Sequence, residues 1–159
     1  MPKLARTIRF DESDAQVFSR PAEAGEWAIP GGFEFSNWTE GDLSGKARQA
    51  FANGWLSLES FGRATLVAVA QVEEAELEPL ARRLADHFVQ LYGAPDAEAA
   101  LPIAREEIAY MVELCADHSP NVLLAVSREL TEAGVRESFR AITPAEAEID
   151  LVAIHGSAD

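Results

Sequence analysis

A single α+β domain over residues 1–159, with an antiparallel sheet of about five to six strands packed against about three helices, is the fold the sequence predicts. Three observations lead there. The chain has 159 residues, enough for one hydrophobic core. Its apolar spacing changes from a period of two to a helical period and back again. The elements then run strands, helix, strand, two helices, strands, an order that suits an antiparallel layer better than a doubly wound parallel sheet.

Leu4 to Phe10 is expected to be the first strand, with Leu4, Ile8 and Phe10 on one face and Arg6 interrupting it. Asp11 to Gly25 is polar and turn-rich. EWAI and FEFS flank Pro30-Gly31-Gly32, which predicts a hairpin whose turn uses the fixed φ of proline and a glycine at positive φ. Phe33 and Phe35 would then face one way. Beyond the TEGDLS segment, Ala47, Phe51, Trp55 and Leu58 recur at helical spacing and predict a helix over 44–60. Ala64 to Val72 is too short and too apolar for a surface helix and is expected to be a strand buried on both faces.

Leu77, Leu80, Ala81, Leu84, Phe88 and Leu91 form one apolar stripe, so an amphipathic helix is expected from near Glu76 to Gly93. The start at Glu76 keeps Pro79 in the first turn, and the glutamates there suit the positive end of the helix dipole. Pro102 predicts a short turn followed by a helix whose buried stripe is Ala104, Ile108, Met111, Val112 and Cys115. Ser119 and Pro120 end it. NVLLAVSREL, the turn TEAG and VRESFRAI then read as an antiparallel pair, with Val135, Glu137 and Phe139 alternating against Arg136, Ser138 and Arg140. Ile149 to Ile154 adds a candidate last strand.

Acidic residues number 27 against 13 basic ones, a formal charge of −14 that repels phosphate backbones and anionic lipid, so neither a nucleic acid nor a membrane is an expected partner. Basic partners remain open. No segment approaches the ~20 apolar residues of a membrane span, and the N-terminus, with Lys3, Arg6 and Arg9, lacks a signal-peptide core. The single cysteine, Cys115, fits a reducing compartment, and a cytoplasmic location is expected.

Reactive-looking residues are few. Cys115 and His118 sit three apart at a helix end, and with His87 on the preceding helix they form a candidate metal or nucleophile group, with Glu107 or Asp117 as a further ligand. No second paired motif makes it specific. Cys115 also continues an apolar stripe, and His118 suits a helix C-terminus, so packing and helix termination account for both. No catalytic residue, metal or cofactor is therefore assigned. Glu106, Glu113 and Asp117 lie opposite the apolar stripe and read as a solvated acidic face. Pro30-Gly31-Gly32 lacks the Gly-Lys-Ser/Thr of a phosphate loop. The aromatic residues Trp27, Phe33, Phe35 and Trp38 fall within twelve positions, and are candidates for either core or interface.

The stretches RTIRFDESDAQVFSRPAEAGEWAIPGGFEFSNW and GKARQAFANGWLSLESFGRATLVAVA resemble an uncharacterised bacterial family of short acidic proteins, a domain of unknown function. That resemblance covers most of the chain and implies no catalytic residue. It implies an accessory role beside the maturation factors and subunits of formate-dehydrogenase-like redox enzymes. Three functional expectations follow: a non-enzymatic accessory or protein-interaction domain assisting maturation or assembly of a redox enzyme; a small-molecule- or metal-dependent enzyme around His87, Cys115 and His118; and a structural homo-oligomer.

Overall fold

In the computed structural model, which describes residues 1–9 and 14–143, seven strands form one sheet. They are β1 (Lys3–Ile8), β2 (Trp27–Ile29), β3 (Trp55–Ser57), β4 (Arg63–Ala64), β5 (Leu66–Gln71), β6 (Leu123–Thr131) and β7 (Gly134–Ile142), in the order β4-β3-β2-β1-β5-β6-β7. Every neighbouring pair is antiparallel. The helices are a short α1 (Asp14–Val17), α2 (Gly45–Asn53), α3 (Glu74–Tyr92) and α4 (Ala97–Ala116), with 3-10 turns at Gly32–Phe35 and Glu40–Asp42. The protein is α+β, as expected, but with seven strands instead of five to six.

The sheet is curled into a half-barrel. β3 and β7 stand five strand spacings apart, about 24 Å in a flat sheet. Yet the rings of Trp55 and Phe139 meet with centroids 5.6 Å apart. The register places Ala5, Ala28, Val67, Val69, Leu124 and Val126 on the same face as these two rings. The α3–α4 hairpin packs on that face: Tyr110 meets Phe139 edge-on at 6.1 Å, and Lys3 Nζ donates to the His118 carbonyl at 2.6 Å. β5 lies between β1 and β6 in the middle of the sheet, the place its apolar run predicts.

Several boundaries differ from expectation for identifiable reasons. The helix expected over 44–60 stops at Asn53, because the Gly54 N–H closes it on Ala50 O at 3.0 Å and the chain turns into β3. The strands not expected from the sequence are β3 and β4, of three and two residues, too short to show a period. FEFS is a 3-10 turn instead of the second strand of a hairpin, entered through Gly31 at φ +68°. A methyl group at Gly31 would approach Leu56 Cβ to 2.5 Å, so both the backbone angle and the space require glycine. α4 begins at Ala97 and runs through Pro102, since Asp96 caps it by accepting from Ala99 N at 2.7 Å. Pro79 and Pro102 each occupy the sixth position of their helix, where each costs one backbone bond near the end. β6 and β7 pair across a two-residue turn, and Val135, Glu137 and Phe139 alternate inward as the sequence indicates. Phe10 and the run Ile149 to Ile154 lie outside the described residues.

Two buried arginines close the curl. Arg63 from β4 and Arg128 from β6 donate to the same two carbonyls, Pro30 and Gly54. Arg63 also reaches Gly31 O, and Arg128 reaches Phe51 O at 3.0 Å. Arg128 Nε donates to Glu137 on β7 at 2.6 Å, and Arg63 pairs with Glu34 at 3.1 Å. Burial lowers the pKa of both, Arg63 to about 10, which leaves Arg63 charged at neutral pH, while Glu137 and Glu34 oppose the shift at Arg128. Removing Arg128 leaves the Phe51 carbonyl and the Glu137 carboxylate without this partner. Arg128→Ala is therefore expected to cost about 3–5 kcal/mol of unfolding free energy, read from urea denaturation. A loss below about 1 kcal/mol would show that water replaces these bonds without penalty.

Candidate functional site

A 3-10 helix has three residues per turn, so consecutive side chains leave it in three directions. From Gly32–Phe35 this sends Phe33, Glu34 and Phe35 to separate places, contrary to the expectation that Phe33 and Phe35 face one way. Phe33 meets Phe88 and Tyr92 edge-on at 4.8 and 5.8 Å. Phe35 is buried beneath Arg63 and Arg128 and against Trp38 and Phe51. Glu34 turns toward Arg63, and its Oε1 lies 4.0 Å from Nε2 of His87.

His87 comes from the buried stripe of α3, 6% exposed, with its imidazole stacked on the Phe61 ring at 3.9 Å and 3°. Nε2 has no hydrogen-bond partner among the described residues. Phe61 has φ +58°, a left-handed conformation that is strained for a bulky side chain, of order 1–3 kcal/mol. The loop that holds it is tied down on both sides. Arg83 donates from α3 to the carbonyls of Leu58 and Glu59. Glu26 accepts from the Ser57 hydroxyl, from Ser60 N at 3.0 Å and from Glu23 N at 2.6 Å. Burial pushes the Glu26 carboxyl up, but those hydrogen bonds outweigh it and hold it below its ordinary range.

A cavity of about 260 Å³ lies between α2, α3 and the 3-10 turn, with Phe18, Phe35, Trp38 and Phe61 as its aromatic lining and Glu34, Arg63 and His87 as its inner polar groups. Burial lowers the His87 pKa; Glu34 opposes this, while Arg20 and Arg63 add to it. The imidazole is thus neutral at pH 7. Burial and the Glu34 carboxylate raise the Tyr92 hydroxyl, which stays protonated.

A second feature runs along α4. Phe33, Phe88, Ala99, Ala100, Tyr92 and Ile103 line an apolar groove of about 450 Å³. Across Phe33 lies a cavity of about 300 Å³ lined by Glu106, Glu107, Tyr110, Val135 and Glu137. Ile103, Glu107 and Tyr110 recur at helical spacing on one face. Leu91, Ile103 and Tyr110 are unusually exposed for their size, at 59%, 54% and 46%. Burial, then Glu137 and Glu106, raise the Glu107 carboxyl above its ordinary value.

The group of His87, Cys115 and His118 is not assembled. Antiparallel packing of α3 and α4 sets the end of α3, with His87, beside the start of α4, while Cys115 is in the last turn of α4. Cys115 is fully buried, its thiol pushed up to about 11 by burial. Among the described residues no group of three or more His, Cys, Asp or Glu is placed to hold a metal ion. Trp27 is buried under the Arg6 guanidinium, 3.7 Å from its ring, so it is a core residue. Phe35 is core as well; Phe33 and Trp38 are half-buried and wall the cavities. No helix among the described residues is long and apolar enough to cross a membrane.

A model of a protein family of unknown function, DUF6505, matches residues 1–159. The chain belongs to that family. No curated protein and no solved structure matches it. In this DUF6505 member, sequence reasoning missed Glu34, Phe61, Arg63 and Tyr92 as partners of His87. One signal was available: Arg63 and Arg128 interrupt otherwise apolar strands, a position that calls for buried acceptors.

Two predictions follow from these environments. The unfolded chain takes up a proton at His87 below about pH 6.5 that the folded chain resists, so this residue lowers stability as pH falls from there toward its folded-state pKa. Thermal unfolding of wild type and His87→Gln at pH 7.5 and 5.5 is expected to show a smaller acid-induced loss in the variant; equal losses would contradict it. Cys115 is expected to react with a thiol reagent about 100-fold or more slowly in the folded protein than in urea, from its smaller thiolate fraction and its burial.

Proposed function

We propose that the protein is a non-enzymatic accessory protein of the cytoplasm that docks a segment of another protein along α4. One observation carries this reading: an exposed apolar groove at Ile103 continues, on the same helix face, into the carboxylates Glu106 and Glu107. Glu137 is already paired with Arg128, whereas Glu107 is a half-buried carboxylate crowded by two like charges. A cation placed there relieves that repulsion. The complementary occupant is a segment with an apolar side chain for the Phe33–Ile103 groove and a lysine or arginine about 6 Å further on, the rise of four helical residues. A chain of charge −14 draws such a basic segment in from a distance. A redox enzyme under assembly is the partner class implied by the sequence resemblance.

The test is capture from the native host, followed by crosslinking and mass spectrometry, with wild type, Ile103→Asp, Glu106→Lys/Glu107→Lys, and a control that reverses Glu74 and Glu129 to Lys. The expected result is a partner crosslinked at α4 through an apolar and basic segment, retained by the control and weakened about tenfold or more by the groove variants. Capture unaffected by the groove variants would refute the reading, as would a crosslinked second copy of this chain, which would instead favour a homo-oligomer.

A further inference from the structure

The cavity beside His87 has a polarity that the docking groove does not use. Its inner end holds His87 and Glu34, whose Nε2 and Oε1 are 4.0 Å apart. That gap is too long for a hydrogen bond, but one hydroxyl or N–H group fits between them at about 2.8 Å from each. Its mouth carries Arg20 and Lys46, both exposed. In this acidic chain most basic side chains are bound internally: Lys3, Arg83 and Arg128 to backbone carbonyls, Arg105 and Arg136 to carboxylates. The side chains of Arg20, Lys46 and Arg48 make no hydrogen bond or ion pair among the described residues, and two of these three line this one cavity. Between mouth and inner end the aromatic lining is Phe18, Phe35, Trp38 and Phe61. The Glu34 charge is offset by Arg63 at 3.1 Å, so the lining is cationic overall.

We propose that this cavity binds a small planar carboxylate that carries a hydroxyl or N–H at its far end. The carboxylate meets Arg20 and Lys46, the ring lies among Trp38, Phe35 and Phe61, and the far group bridges His87 and Glu34. A volume of about 260 Å³ limits the ligand to about one ring, below the size of most drug-sized occupants. The buried, unpartnered Nε2 is the observation that separates this from an ordinary surface depression.

The probe is 4-hydroxybenzoate, titrated into the full chain and followed by NMR at the Trp38 indole and the His87 imidazole. Benzoate lacks the far hydroxyl and 4-hydroxybenzyl alcohol lacks the charge. The expected result is saturable shifts at these two residues at about millimolar concentration or below, with about tenfold weaker binding for each control. The double variant Arg20→Glu/Lys46→Glu changes exposed side chains that make no internal bonds, and is expected to lose about tenfold in affinity with its melting temperature retained. Absence of binding at millimolar probe, equal binding of the uncharged alcohol, undiminished binding to the double variant, or shifts elsewhere would each overturn the proposal. None of these results bears on the α4 groove, which is tested by different residues.

Discussion

The shared hydrogen bonding of Arg63 and Arg128 to the Pro30 and Gly54 carbonyls is the constraint on which the rest of the structure depends. These carbonyls end β2 and α2, where neither continues into the sheet ladder, and a buried carbonyl without a donor is costly. Two guanidinium groups, each a planar fork of five N–H donors, satisfy several acceptors at once. Lysine has three donors at one point and cannot span the same set. The cost is two like charges side by side in a buried place, offset by Glu34 and Glu137 and by the Phe35 ring face beneath both. Because one arginine comes from each side of the curled sheet, this cluster joins β4 to β6 and β7 across the opening.

The same cluster positions the two surface features. Glu34 neutralises Arg63 and therefore stays beside His87, while Phe33, one residue earlier on the 3-10 turn, is delivered to the opposite side and separates the apolar groove from the acidic cavity. Phe61 owes its left-handed backbone to the loop after β3, where Glu26, Ser57, Ser60 and Arg83 leave the chain little freedom. A strained bulky residue stacked flat on a buried histidine is a local expense within a fold whose total stability is only about 5–15 kcal/mol. The hydrogen bonds that hold the loop, with the stack on His87, keep this aromatic ring at the cavity despite the strain.

What was legible in the sequence was periodic. α3 shows its apolar stripe and its Gly93 stop because both depend on local rules, and β6 and β7 show their pairing through alternation and a turn of two residues. β3 and β4 were hidden because three- and two-residue strands exist only through their neighbours. The 3-10 turn at Gly32–Phe35 was misread because F-E-F alternation is equally compatible with a strand; the burial of Phe35 under two arginines, distant in sequence, decides it. The site was less legible than the fold. Cys115 and His118 drew notice as neighbours in sequence, whereas the partners of His87 other than Tyr92 come from the loop after β3, from β4 and from the turn after β2. No spacing rule connects these.

The aromatic residues around Pro30-Gly31-Gly32 divide by what lies beside them. Trp27 is enclosed by Arg6 and the sheet, and Phe35 by the arginine pair, so their size serves packing. Phe33 and Trp38 flank the same turn but remain half-buried, each with one side on a cavity. The difference is geometric: a 3-10 turn anchored at both ends by buried groups has to project some of its side chains outward. A strand in the same place would have put Phe33 and Phe35 on a common face and left no wall between an apolar groove, a carboxylate cluster and a cationic cavity. The Pro30-Gly31-Gly32 sequence thus acts by its backbone. It ends β2, supplies the carbonyls that hold two arginines, and starts the turn that gives each of the three following side chains a different environment.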